Sequence, residues 1–161
     1  MAARKEIAPP HPVLYAWYHL LGSFAFTGHA PFASGTVGSA AALALYWVLP
    51  WTDNGTLLSL VSLAVLFLGL PAASAMERRH GDDPSLVVVD EAVGMWIAVA
   101  FLPKIWWVAL AAFFLFRLFD IVKPAPARQF DRMRGGGGIM MDDVIAGLYA
   151  NIVMQIVLIF V

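Results

Sequence analysis

The run from Thr56 to Met76 carries no charged side chain, and a helix of that length crosses a hydrocarbon core of about 30 Å. In lipid, every backbone N–H and C=O must be paired within the chain, so such a run is read as a helix. Four other apolar stretches accompany it: Thr36–Trp51, Ser85–Leu102, Ile105–Val122 and Ile139–Val161. Thr52-Asp53-Asn54-Gly55, the polar Glu77–Pro84 segment, Pro103-Lys104 and the basic Lys123–Gly138 segment separate them. Asp83-Pro84 suits an N-cap followed by a first-turn proline, and Pro71 is expected to bend the second span. The expectation is an all-α, membrane-embedded bundle of about five spanning helices, one domain over residues 1–161. Val13–Phe26 is too short to cross and is expected as an N-terminal interfacial or buried helix.

Composition agrees: 61% of residues are hydrophobic and 13% charged, against about 25% charged in an ordinary soluble domain. A net charge of −1 offers no basic field for nucleic acid. The absence of cysteine excludes a thiolate nucleophile and thiolate metal sites. No small-residue cleavage site follows the first apolar stretch, so a removable signal peptide is not expected. Arg4, Lys5, Arg78, Arg79, Lys123, Arg128, Arg132 and Arg134 fall on one set of connections, and the opposite set offers only Lys104. The positive-inside rule then puts the N-terminus in the cytoplasm and the C-terminus outside.

Phe116-Arg117-Leu118-Phe119-Asp120-Ile121-Val122-Lys123-Pro124 ends the fourth span. Arg117, Asp120 and Lys123 recur at three-residue steps and so share one helix face. Charge at this depth is a functional hypothesis by default; snorkelling arginine and lysine with an aspartate counter-ion is the structural alternative. With the predicted topology, Asp90, Glu91, Asp120, Asp142 and Asp143 all fall toward cytoplasmic helix ends. Gathered together they would repel one another, and a hard divalent ion, magnesium or manganese, relieves that repulsion. Arg117 and Lys123 supply positive charge for a phosphoryl group. Gly35-Thr36-Val37-Gly38-Ser39 opens a helix whose free N–H groups favour an anion. The same residues admit plainer roles: a turn with an N-cap for the glycine loop, dipole partners for Asp142 and Asp143, a buried ion pair for Asp90. Gly135–Gly138 reads as a hinge, Asn151 and Gln155 as helix–helix hydrogen-bonding groups, and His29 as a candidate acid. Metal, cations and a base together are the parts of phosphate monoester hydrolysis at a membrane surface.

Val89-Asp90-Glu91-Ala92-Val93-Gly94-Met95-Trp96, the Phe116–Pro124 segment and Gly138-Ile139-Met140-Met141-Asp142-Asp143-Val144-Ile145-Ala146-Gly147 resemble the phosphatidylglycerophosphatase A family. The Pro31–Ser39 loop and Phe130-Asp131-Arg132 are similar to two further motifs of that family, with Ser34 standing where proline is expected. The resemblance runs from about Tyr18 to Gly147. It implies a magnesium-dependent enzyme of the bacterial inner membrane, with its active site facing the cytoplasm. That enzyme would convert phosphatidylglycerophosphate to phosphatidylglycerol. The resemblance also implies that Asp90, Glu91, Asp120, Asp142 and Asp143 are the acidic active-site positions. On that reading we expect Asp90, Asp120, Asp142 and Asp143 to hold the metal, with Asp90, Asp120 and Asp143 also counted as catalytic. Glu91 is a candidate base, and Arg117, Lys123, Thr36, Gly38 and Ser39 are candidate substrate binders. A phosphatidyltransferase is the alternative enzyme, but its spaced aspartates after an Asp-Gly pair are missing. A small ion-coupled carrier is the alternative of another class, and it would need polar groups near mid-span on several helices.

Overall fold

A computed structural model describes residues 11–161, so Arg4 and Lys5 lie outside the described part. Among the described residues seven α-helices follow one another: α1 (Pro12–Gly22), α2 (Ser34–Val48), α3 (Gly55–His80), α4 (Val89–Val99), α5 (Trp106–Val122), α6 (Ala127–Asp131) and α7 (Gly136–Ile159). Single 3-10 turns at Thr27–His29 and Pro50–Asp53 flank α2, and no strand occurs among the described residues. The class is therefore all-α, as expected. Among the described residues two helices, α3 and α7, are long and apolar enough to cross a membrane by length and composition. The stretches expected as three further spans form shorter helices of 15, 11 and 17 residues.

Local chemistry explains the boundaries, including those that differ from expectation. Asn54 caps α3 by accepting from Leu57 N–H at 3.1 Å, the role short polar side chains fill at N-termini. The helix runs unbroken through Pro71 and on through Glu77–His80, a segment expected as a connection. Basic Arg78, Arg79 and His80 suit the negative end of the helix dipole, and Gly81 at φ +105° ends it. The predicted N-cap at Asp83-Pro84 does not form. Asp83 takes φ +45°, Val87 N–H bonds back to Pro84, and Val88 N–H donates to Gly22 C=O at 2.9 Å. With those groups engaged outside a helix, α4 starts only at Val89. Asp90 and Glu91 thus stand in its first turn, not two turns in. The glycine run is not a hinge: Gly135, at φ +89°, precedes α7, and Gly136–Gly138 form its first turn. A Cβ on Gly136 would lie 2.0 Å from Leu70 C=O, and Gly136 N–H donates to Ser74 Oγ at 2.7 Å.

The centre of the bundle is α4, where every residue except Glu91 and Ile97 is buried. A helix apolar on all sides belongs inside a protein, and α7 is its main partner. Their backbones meet at two glycines: a Cβ on Gly147 would lie 2.3 Å from Gly94 C=O, and one on Gly94 would lie 2.7 Å from Asp143 C=O. Asn151, as expected of it, bonds to a neighbouring helix, donating to Ile97, Ala98 and Ala100 carbonyls at the end of α4; Gln155 is exposed. Trp96 Nε1 donates to Ala42 C=O at 3.0 Å, fastening α2 to the other side of α4. Outer faces remain apolar, with Leu60, Phe67, Phe114, Ile121 and Ile152 all more than half exposed.

Gly147→Ala should lower the thermal midpoint in detergent, at a cost of about 1–3 kcal/mol for overpacking. Gly137→Ala, where a Cβ meets nothing within 4 Å, should be neutral or stabilising by under about 1 kcal/mol. Equal melting of both variants would remove the glycine contact from the account.

Candidate active site

The close crossing of α4 and α7 determines which acids meet. Asp90 and Asp143 each lie four residues, about one turn, before the glycine at the crossing point. Ligand oxygens of Asp90, Glu91 and Asp143 all lie within 4.8 Å of one another, and so do those of Asp120, Asp142 and Asp143. Asp143 belongs to both groups, which makes the five carboxylates one continuous cluster fed by α4, α5 and α7. Asp90, Asp142 and Asp143 are buried, and Glu91 and Asp120 are half-buried. Two unit charges 4.8 Å apart repel by roughly 3 kcal/mol at an effective dielectric of about 20.

Two cations face this cluster. Arg117 Nη1 donates to Asp120 Oδ2 at 2.8 Å and to Ser39 Oγ at 3.4 Å. Ser39 Oγ in turn donates to Gly35 C=O at 2.7 Å, so the start of α2 is tied to α5 through the guanidinium. Lys123 ends α5 in the left-handed region at φ +48°. Its ammonium donates to Asp131 and, at 2.6 Å, to Asp142 Oδ2. Burial pulls the Lys123 pKa down, but the two carboxylate hydrogen bonds outweigh it and raise it, so the ammonium stays charged.

A hard cation fits this donor set. Asp90 Oδ1, Glu91 Oε2 and Asp142 Oδ1 are buried without a hydrogen-bond partner among the described residues, as is Arg117 Nε. Orphaned carboxylate oxygens are costly unless something completes them, and an oxygen-only set matches magnesium or manganese. Of the four acids expected on the metal, Asp90 and Asp142 carry such an oxygen, and the third orphan belongs to Glu91, the expected base.

The glycine loop takes a more particular form than its sequence implied. The helix opens at Ser34, two residues earlier than expected, with Ala33 before it at φ +47° and no side-chain cap. Gly35 lies against the site: a Cβ there would fall 2.1 Å from Glu91 Oε1 and 3.3 Å from Arg117 Nη1. Thr36 is exposed, whereas Gly38 is buried against Val88, where a Cβ would meet Val88 Cβ at 2.8 Å. Gly38 therefore serves the packing of α2 on the segment before α4, and Ser39 holds Arg117. Ser34, the departure from the family pattern, donates from Oγ to Ser85 C=O at 2.6 Å, a bond proline cannot make. His29 packs on His19 and Phe26 with ring centroids 5.1 and 5.7 Å away.

Three functional features were missed from sequence. Asp131, quoted only as part of a motif, shares Lys123 with Asp142. Gly35, rather than Gly38, touches Glu91. Gly94 and Gly147 set the helix crossing, and their common spacing after an acid was the available signal. A polar cavity of about 180 Å³ opens beside Asp142, with Glu77, Asp83, Asp131, Arg132 and Arg134 in its walls.

Comparison with known proteins gives a consistent answer. The family model described as phosphatidylglycerophosphatase A matches residues 20–158. The chain is 37% identical to the Escherichia coli phosphatidylglycerophosphatase A over 150 residues, 89% of this chain and 85% of that protein. It is 41% identical to the Haemophilus influenzae phosphatidylglycerophosphatase A over 154 residues, 93% and 91% of the two chains. A Bacteroides thetaiotaomicron protein, provisionally named a phosphatidylinositol-3-phosphatase, is 44% identical over 146 residues, 85% and 91% of the two chains. No solved structure matches.

Lys123→Met should destabilise the fold by about 2–3 kcal/mol, less than the 3–5 of a fully buried broken pair, because Asp131 remains accessible. Adding Asp142→Asn should restore part of that loss. A double-mutant cycle by chemical denaturation tests this, and strictly additive effects would show that the two side chains are not coupled.

Proposed function

The chain belongs to the phosphatidylglycerophosphatase A family and is an enzyme of that kind, and on that premise we propose that it uses magnesium to remove the terminal phosphate of phosphatidylglycerophosphate at the cytoplasmic face of the bacterial inner membrane. The observation that carries this reading is the continuous, largely buried cluster of five carboxylates, with Arg117 paired to Asp120. Asp90, Asp120, Asp142 and Asp143 would hold the metal. When bound, magnesium offsets their mutual repulsion and gathers phosphate oxygens.

The chain's own residues do the rest. Arg117, oriented by Asp120 and Ser39, offers its unpartnered Nε and the free edge of its fork to the phosphoryl oxygens. Glu91, whose Oε2 is also unpartnered, takes a proton from the attacking water. The water oxygen bonds to phosphorus, and the phosphorus–oxygen bond to the headgroup glycerol breaks. The glycerol oxygen takes up a proton, leaving phosphatidylglycerol and inorganic phosphate. Lys123 braces Asp142 and Asp131 and lends the site positive charge. The backbone N–H groups that open α2 at Ser34–Thr36 add a favourable field for an anion. The polar cavity beside Asp142 gives the headgroup room outside the cluster.

Apolar outer faces and the length of α3 and α7 support a membrane setting. In that setting α2, α4 and α5 complete a bundle embedded in the bilayer, and α1 lies at its interface. The relative named for phosphatidylinositol-3-phosphatase activity supports a second reading, in which the same cluster hydrolyses an inositol-lipid monoester.

Purified protein with phosphatidylglycerophosphate and magnesium should release phosphate, and a chelator should stop it. Phosphatidylinositol 3-phosphate as the parallel substrate decides between the readings. Asp120→Asn should lose nearly all turnover while still folding; near-normal turnover would count decisively against this site. Gly35→Ala, which pushes a methyl against Glu91, should cut kcat by about a hundredfold, the usual effect of misplacing a reacting group by an ångström. An unchanged kcat would remove Glu91 from the reaction.

A further inference from the structure

Outside the acid cluster, α1, the turn after it and α3 border an apolar cavity of about 560 Å³, none of whose lining residues is one of the acids. Trp17, Leu20, Leu21, Phe24, Leu68 and Pro71 are among its walls, and none of its lining residues is charged. Its volume lies within the roughly 300–1,000 Å³ typical of small-molecule sites. Leu68 and Phe67 are exposed, so the cavity faces the surroundings of the bundle rather than its interior.

Above this cavity, on the same face of α3, stands a cation. The step from Leu68 to Arg79 is close to three whole turns, so Arg79 projects over the cavity from about 16 Å further along the axis. Its guanidinium lies over the Tyr15 ring, 4.3 Å from the centroid, and Tyr15 Oη is 2.9 Å from His80 Nε2. Tyr15 is one turn before Tyr18, a lining residue of the cavity. Among the described residues no carboxylate forms an ion pair with Arg78 or Arg79, and both are exposed. Stacking on the ring holds the guanidinium plane and leaves its N–H edge open to a phosphate.

The vertical order is that of a phospholipid. A half-bilayer of hydrocarbon is about 15 Å deep, with a headgroup layer above it. Aromatic rings that are apolar at one end and polar at the other collect at that boundary; Tyr15 beside Arg79 and His80 is such a ring, and Trp17 and Tyr18 in the cavity wall are two more. We propose that this face seats one anionic phospholipid, with an acyl chain in the α1–α3 cavity and its headgroup phosphate against Arg79. The occupant is a resident membrane lipid, separate from the substrate at the acid cluster. The inference rests on the membrane setting of the proposed function but not on its chemistry.

The test is native mass spectrometry of the purified full chain exchanged into equal dioleoyl-phosphatidylglycerol and dioleoyl-phosphatidylcholine. Wild type should retain one phosphatidylglycerol in preference to phosphatidylcholine. Arg79→Ala should reduce that preference roughly fivefold, the weight of one basic group at an anionic headgroup. Leu68→Trp, which narrows the cavity with a bulkier wall, should weaken retention of either lipid. Both variants should hydrolyse a short-chain, water-soluble substrate at the wild-type rate, which shows that they fold. Equal retention of the two lipids, a preference that survives Arg79→Ala, or retention unaffected by Leu68→Trp would each overturn the proposal. Failure of wild type to release phosphate would instead sink the proposed function and leave the lipid result readable.

Discussion

Everything in the site depends on how closely α4 and α7 approach. At Gly94 and Gly147 no side chain separates the two backbones. Larger residues there would hold the helices at the usual 8–10 Å between axes and draw Asp143 away from Asp90 and Glu91. One glycine contact therefore does two things: it packs the centre of the bundle and it sets the spacing of acids one turn away on each helix. Asn151 reinforces it at the far end of α4, where it donates to the carbonyls of Ile97, Ala98 and Ala100 in the last turn and just beyond.

The cost of that approach is electrostatic. Five carboxylates meet two cations, and several carboxylate oxygens remain without partners. Such a cluster weakens the fold in which it sits. The chain confines the strain with local ties: Arg117 to Asp120 and Ser39, and Lys123 to Asp131 and Asp142. These ties also fix where positive charge stands relative to the acids, which a phosphate-binding site requires before any substrate arrives. Segments that a sequence presents as loops do the same work. Val88 N–H bonds to Gly22, and Ser34 Oγ bonds to Ser85, so the chain between α3 and α4 is held to the end of α1 and the start of α2.

Much of the arrangement was legible beforehand because its signals are local. The helical class followed from unbroken apolar runs, and the acids stood out because charge is rare in them. The turn expected at Thr52–Gly55 does precede α3, which starts at Gly55, one residue before the expected Thr56. The errors share one cause, which is that tertiary partners competed for the same backbone groups. Asp83-Pro84 is a sound N-cap pair in isolation, yet the chain there turns back at Pro84 and pairs with α1. Four consecutive glycines suggest mobility, yet Gly136 and Gly138 are buried at close backbone contacts with Leu70 and Met133. Gly38 was chosen from the loop for phosphate, but it is Gly35 that faces Glu91 and Arg117.

By itself the sequence determined the class of fold and singled out the acids that the fold brings together, because hydrophobicity and ionisable groups are properties of residues. The tertiary structure alone decided which acids share a centre and which cation each one meets. It also decided that Asp131 belongs with Lys123 and that α4 is a buried core helix of 11 residues. Those outcomes are distances between elements far apart in the chain. They are set by where backbones can touch, and no local pattern of residues encodes that.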